Sequence, residues 1–308
     1  MLSDVRTGLS STPRQISSKY FYDERGSQLF DEITRLPEYY PTRAERALLE
    51  RCAATIVDTV RPVTLVELGA GSSDKTRLLL DQMVRRSELG TTYIPVDVSA
   101  EFLASSTDQL RIEYPSVETR PVVADFSSRF ELPAHSPPAL HAFLGSTIGN
   151  FTPSAAVDLV RKVCERMAPE DYFLLGVDLR KHPHQIEAAY NDSQGVTASF
   201  NRNMLDAINA RLGANFNSSR FDHKAIYNAT EHRIEMWLVS QTDQVVEIPG
   251  IGSVTFDAGD ELLTELSYKY DRELATELLT RSGLHMQNWF TDDAGLFALT
   301  LATRDDGA

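Results

Sequence analysis

The sequence predicts an α/β protein, a Rossmann-like and mostly parallel sheet with a second, inserted α+β unit, on three observations. Short apolar runs of strand length alternate with helix-period segments from about residue 45. The first such run leads straight into Gly69-Ala70-Gly71, and the rhythm breaks after Asp178 and resumes at Asp271. Strands separated by crossover segments of this length pair in parallel, because a parallel connection needs a dozen or more residues and is usually helical.

In chain order, Thr42-Arg43-Ala44-Glu45 reads as a capping box ahead of a helix over 47–60. Residues 64–68 (TLVEL) form a short buried strand, and 75–85 resume a helical pattern with apolar residues at 78, 79, 80 and 83. Further buried strands are expected at 93–98, 121–124, 140–145 and 172–178. Residues 181–213 read as mostly helical, whereas 233–240 and 245–256 read as β structure. A helix over 271–282, stopped by Gly283, then precedes a hairpin of 286–290 and 296–302. Residues 45–180 and 270–308 are thereby assigned to the Rossmann-like domain, and 1–44 with 181–269 to the inserted one.

Composition excludes several functions. Among 308 residues, 30 Lys and Arg stand against 44 Asp and Glu, a formal charge of −14, so a generally basic nucleic-acid binder is ruled out. Apolar runs such as 172–177 fall far below the roughly 18 residues of a membrane-spanning helix, so no membrane partner is expected. Cys52 and Cys164 are the only cysteines and form no CxxC pair, which argues against a disulfide scaffold and for a reducing cytoplasm. Residues 1–15 lack the apolar stretch of a secretory signal and read as a short disordered tail. A monomer acting on a small molecule is the expectation.

The glycine turn carries the first chemistry. Such a turn at the carboxyl end of a strand lets backbone approach a ligand at a helix N-terminus. A dinucleotide fingerprint needs a third glycine and a phosphate loop needs one before its lysine, but Asp74 holds that position in Gly69-Ala70-Gly71-Ser72-Ser73-Asp74-Lys75-Thr76. A carboxylate there opposes phosphate. S-adenosylmethionine, which carries a sulfonium and ends in an amino acid, is the remaining candidate and suits the turn Glu67-Leu68-Gly69-Ala70-Gly71. Lys75 can pair with its carboxylate, Asp97 can accept from ribose hydroxyls, and Asp125 with Phe126 can meet the adenine amino group and ring. The alternative is a tight turn of no further consequence, with Lys75 and Asp97 solvated and Phe126 in the core.

The whole chain resembles, end to end, the histidine-specific Nα-methyltransferases, which make trimethylhistidine (hercynine) on the route to ergothioneine. The distinctive stretches are 20–43 (YFYDERGSQLFDEITRLPEYYPTR), 66–76 (VELGAGSSDKT), 144–153 (LGSTIGNFTP), 195–203 (GVTASFNRN) and 233–237 (RIEMW). The resemblance implies a class I methyltransferase sheet, S-adenosylmethionine on Gly69, Lys75, Asp97, Asp125 and Phe126, and histidine on Tyr39, Asn150 and Tyr190, with Glu265-Leu266-Ser267 meeting the imidazole. A carboxylate at Glu265 can take the imidazole N–H, and the Ser267 hydroxyl can donate to the other ring nitrogen. Singly, each has a plainer reading: packing for Tyr39, a turn residue for Asn150, a helix-surface aromatic for Tyr190 and an exposed strand face for Glu265 and Ser267. Met236 reads as core, with an approach to the substrate ring open to it. Tyr268 and Tyr270 leave substrate preference open if they touch the pocket.

Methyl transfer from a sulfonium is an in-line displacement, for which positioning does most of the work. No metal site, covalent nucleophile or general base is expected, and His182-Pro183-His184 reads as a solvated loop. Desolvation of the substrate ammonium would lower its pKa and free the lone pair. The competing readings are an N-methyltransferase of tryptophan or another amino acid, and a non-catalytic S-adenosylmethionine-binding module; a dehydrogenase is opposed by Asp74.

Overall fold

The structure is a computed structural model that describes residues 1–86, 90–125, 131 and 134–305. Its helices are α1 (Leu2–Leu9), α2 (Glu24–Thr34), α3 (Tyr40–Val60), α4 (Thr76–Arg86), α5 (Ala100–Glu113), α6 (Pro153–Cys164), α7 (Pro183–Tyr190), α8 (Val196–Leu212) and α9 (Arg272–Arg281). The first six strands are β1 (Thr64–Leu68), β2 (Thr91–Asp97), β3 (Val117–Thr119), β4 (Val122–Val123), β5 (Ala139–Phe143) and β6 (Tyr172–Asp178). The remainder are β7 (Phe221–Asn228), β8 (Arg233–Ser240), β9 (Gln244–Ile248), β10 (Gly252–Phe256), β11 (Glu261–Tyr268), β12 (Leu284–Thr291) and β13 (Phe297–Arg304). They divide into two units, Pro41–Arg180 with Lys269–Ala308, and Met1–Tyr40 with Lys181–Tyr268.

The first unit is the expected Rossmann-like domain. Its sheet runs β12-β13-β6-β5-β1-β2-β3, with β4 also on β2. All pairs from β6 to β3 are parallel, and the terminal hairpin adds the two antiparallel pairs, β13-β6 and β12-β13. β1 and β5 are buried along their whole length, as strands covered on both faces are. Leu49, Ile56 and Val57 of α3 and Leu79, Leu80 and Met83 of α4 pack with Leu65, Leu140 and Leu299 in one core. The chain leaves this unit at Arg180 and returns at Lys269, and the two ends are joined: Arg180 N–H donates to the Tyr270 carbonyl at 2.8 Å and Tyr270 N–H to that of Asp178 at 2.8 Å. Beneath them Lys269 and Asp178, both fully buried, form an ion pair of 2.8 Å.

The second unit holds the three-stranded antiparallel sheet β11-β8-β7, the hairpin β9-β10 and helices α1, α2, α7 and α8. Phe21 and Phe200 stack at 4.4 Å, and Asp23 caps α2 through Gly26 N–H while accepting from Asn203 of α8 at 2.8 Å.

Four local expectations are corrected. Residues 1–15 are not a disordered tail: α1 buries Val5 and Leu9, and Gln15 N–H closes on the Gly8 carbonyl at 3.0 Å. The capping box at Thr42 is absent because α3 begins two residues earlier, with Pro41 in its first turn, where a fixed φ and a missing N–H do no harm. The strand at 121–124 shrinks to β4, and a separate β3 precedes Pro121, which has no N–H to give a ladder. His182 does not lie in a loop: it is exposed but caps α7, its Nδ1 accepting from His184 N–H at 3.3 Å ahead of Pro183.

Candidate active site

In the Rossmann-like unit, parallel register brings the expected residues to one edge. Leu68 lies opposite both Val96 and Phe143, so Gly69, Asp97 and Leu144 leave the sheet at the same level, and Asp97 in turn lies opposite Val123, two residues before Asp125. Gly69 and Gly71 have φ of 68° and 52°, the left-handed region that disfavours side chains, and above Gly71 there is open space. Gly71 N–H donates to Asp97 Oδ2 at 3.1 Å, and Ser99 N–H donates to Oδ1 at 3.0 Å. The acidic residue is thus tied to the turn it is meant to serve, with lone pairs left for hydroxyl donors. Asp125 is half-buried beyond β4, whereas Phe126 lies outside the described residues. Asn150 closes the 3-10 turn Thr147–Asn150 that follows β5 and is half-buried.

Two carboxylates outside the set expected to bind ligand, Glu45 and Glu67, underpin this edge. Glu45 on α3 is fully buried, pairs with the Lys75 ammonium, and accepts Gly145 N–H through both oxygens at 2.8 and 3.0 Å. Lys75 is therefore held in place by an anion rather than solvated, and its ammonium has further donors to offer. Glu67, the first residue of the motif, accepts the Thr76 and Tyr93 hydroxyls on one oxygen. Burial pushes its carboxyl pKa up to about 7 against the pull of those two hydrogen bonds. Glu45 stands between Ala44 and Arg46, and no local signal in the sequence marks it as buried.

In the α+β unit the expected amino-acid residues converge from three elements. Tyr39 and Tyr190 meet edge to face at 6.3 Å, and the Tyr190 hydroxyl donates to Ser267 Oγ at 3.0 Å. Tyr190 and Ser267 are buried, which removes the surface readings of both. On β11, Leu262 pairs with Leu238 and Glu265 with Met236, so three steps on β11 match two on β8 and Thr264 is a bulge. Alternation after the bulge places Glu265 and Ser267 on the face of Met236 and Ile234. Leu266 falls on the opposite face and can offer only main-chain groups there. Tyr268 shares that opposite face, where it lies across from Arg233 and its hydroxyl accepts from the guanidinium. Tyr270 belongs to the other unit, paired through Leu179.

One His and carboxylate set comes together among the described residues, His135, His141 and Asp171, whose ligand atoms lie within 4.8 Å of one another. It sits at the amino ends of β5 and β6, away from the glycine turn. Asp171 accepts from Ala139 N–H at 2.7 Å, Ala168 N–H at 2.8 Å and His141 Nε2 at 3.2 Å. Burial raises the Asp171 pKa, but those hydrogen bonds outweigh it and keep the group ionised, while burial pushes the His141 imidazole down. The set thus serves as a buried polar tie between the two strand starts.

Sheet order, reversed terminal hairpin and glycine turn together define a class I, S-adenosylmethionine-dependent methyltransferase. Within that class, the chain belongs to the family of histidine-specific, S-adenosylmethionine-dependent methyltransferases, which it matches over residues 1–304. It is 45% identical over 302 residues to a histidine Nα-methyltransferase of Mycolicibacterium smegmatis, covering 98% of this chain and 94% of that one. The corresponding enzyme of Mycobacterium tuberculosis is 44% identical at the same coverage. Ergothioneine biosynthesis protein 1 of Schizosaccharomyces pombe is 27% identical over 87% of this chain, which spans 36% of that longer protein.

Proposed function

We infer that the protein transfers methyl groups from S-adenosylmethionine to the α-amine of L-histidine, three times, giving trimethylhistidine in a route to ergothioneine. What carries this reading is the 45% identity over nearly the whole of both chains to a histidine Nα-methyltransferase. The site described above supports it. Gly69, Lys75, Asp97, Asp125 and Phe126 are assigned to the cofactor, and Tyr39, Asn150, Tyr190, Glu265, Leu266 and Ser267 to histidine, Leu266 through its main chain.

The cofactor supplies a methyl carbon on a sulfonium, from which it is displaced in line. The protein's own residues hold the partners in place. Lys75, restrained by Glu45, faces the demand of a carboxylate, and Asp97, restrained by Gly71, that of two ribose hydroxyls. Glu265 accepts an imidazole N–H and Ser267 offers its hydroxyl, a pairing that leaves buried polar groups unsatisfied when an apolar side chain is bound instead. The amine must arrive neutral, since an ammonium has no lone pair, and water takes its proton before each transfer. We assign the reaction to the cytoplasm, consistent with Cys52 and Cys164 as free, buried thiols, burial pushing that of Cys52 up to about 11. No helix among the described residues is long and apolar enough to cross a membrane.

The test is mass spectrometry of histidine and, separately, tryptophan incubated with the purified protein and S-adenosylmethionine. Histidine gaining three methyl groups is the expected result. Turnover of tryptophan in preference to histidine would move the assignment to an indole substrate. Accumulation of monomethylhistidine under excess cofactor would contradict the three-step reading.

A further inference from the structure

The bulge at Thr264 decides which way Glu265 faces, and the structure shows what holds the bulge. Leu263 lies opposite Trp237; with no extra residue, Thr264 would lie opposite Met236 and Glu265 opposite Glu235. That would put Glu265 on the face of Arg233 and Glu235. Thr264 instead turns its hydroxyl to the side-chain oxygen of Asn201 on α8, at 2.6 Å. Asn201 is fully buried and donates from Nδ2 to the Trp237 carbonyl at 3.0 Å and to His223 Nδ1 at 2.9 Å. His223 Nε2 in turn reaches the Tyr190 carbonyl at 2.8 Å.

Every direction in this chain is forced. A carbonyl only accepts, so Trp237 requires the amide nitrogen of Asn201 on its side, which leaves Oδ1 to Thr264. The same nitrogen requires a bare lone pair on His223 Nδ1, and the Tyr190 carbonyl requires the proton on Nε2. The imidazole is therefore neutral and of one tautomer. Its pKa is pushed down by burial and further by Arg202, against the Tyr190 carbonyl and Asp192, which pull the other way.

We propose that Asn201 and His223 are positioning residues for the amino-acid site, a neutral relay that locks the Thr264 bulge to the Tyr190 backbone and so presents Glu265, Ser267 and Tyr190 in one arrangement. The role of those three residues rests on the reading of function above; the relay itself does not. Tyr190 is held twice, by its carbonyl through His223 and by its hydroxyl through Ser267, so a ring of hydrogen bonds runs from β11 through α8 and β7 to α7 and back to β11. Such a ring restricts the site without adding charge to it, and breaking any link leaves a buried donor or acceptor unpaired.

The experiment has a kinetic arm and a spectroscopic arm on the full chain. Thr264→Val and His223→Gln should each raise KM for histidine about tenfold while KM for S-adenosylmethionine stays within about twofold. Thr264→Ser, which keeps the hydroxyl, should restore the wild-type value. A purely structural role predicts that both KM values move together or not at all, and either outcome overturns the proposal. Nitrogen-15 NMR of histidine-labelled wild-type protein, assigned against His223→Gln or Thr264→Val, should show His223 at neutral pH as the Nε2–H tautomer. An Nδ1–H tautomer or an imidazolium overturns the relay even if the variants fold poorly. If wild-type protein leaves histidine unmethylated, the functional reading falls, and the NMR result still decides the relay.

Discussion

The two units build their sites by opposite means. In the Rossmann-like unit the candidate site is made of backbone and charge: a left-handed glycine turn, a carboxylate aimed at N–H groups, and the ion pair of Glu45 with Lys75. In the α+β unit one carboxylate, Glu265, is set among neutral side chains from scattered elements, Tyr190 with Ser267, and Thr264 with Asn201 and His223. The difference matches the ligands assigned to them. A charged, flexible cofactor needs fixed counter-charges, whereas telling one amino acid from another of similar charge needs hydrogen-bond geometry that penalises the wrong ring.

The sharpest way to break the comparison is at the one carboxylate of the α+β site. Glu265→Ala is expected to lower kcat/KM for histidine about 10³-fold, or about 4 kcal/mol, with the dissociation constant for S-adenosylmethionine unchanged in calorimetry. A loss below tenfold would mean that Glu265 does not read the imidazole. In the charged unit, Lys269→Met leaves Asp178 buried without its cation and should cost roughly 3 to 4 kcal/mol of unfolding free energy in a denaturant titration. A cost below about 1 kcal/mol would place that pair among ordinary surface salt bridges.

This contrast also explains what could be read in the sequence. The glycine turn, Lys75 and Asp97 were legible because a strand, a turn and a helix are consecutive, and parallel register then carries the next strand's Asp97 to the same edge without any choice of side chain. The sheet followed from the alternation of elements, including the terminal hairpin. Glu45 was not legible: it reaches Gly145 across 100 residues, and nothing local marks a glutamate as buried. Residues 1–15 were misread because their burial comes from docking of α1, which polar composition conceals. Thr264 was invisible as a bulge, since an alternating strand pattern reads the same until its partner register is known. Family resemblance named Glu265 and Ser267, but only the bulge explains how both come to share a face.

A pH profile separates the units next. Glu67 has a folded pKa raised to about 7 from 4.5, so its contribution to stability is complete below pH 4.5 and is lost as pH rises toward 7. The expected loss is about 3 kcal/mol at most. Glu67→Gln keeps a carbonyl to accept the Thr76 and Tyr93 hydroxyls and should flatten that part of the profile. An unchanged slope between pH 4.5 and 7 in the variant would show that the carboxyl is already ionised in the fold.

The smallest effect is the most discriminating for the α+β site. Tyr190→Phe removes one hydroxyl that donates to Ser267 Oγ at 3.0 Å, while the His223 bond to the Tyr190 carbonyl survives, because it uses the main chain. Losing this tie should raise KM for histidine about fivefold, the worth of a single net hydrogen bond of about 1 kcal/mol. A loss near 10²-fold would instead mean that the hydroxyl meets the substrate directly, as the family assignment of Tyr190 implies. The same substitution therefore weighs two tasks for one atom: holding Ser267 in place, and binding the amino acid.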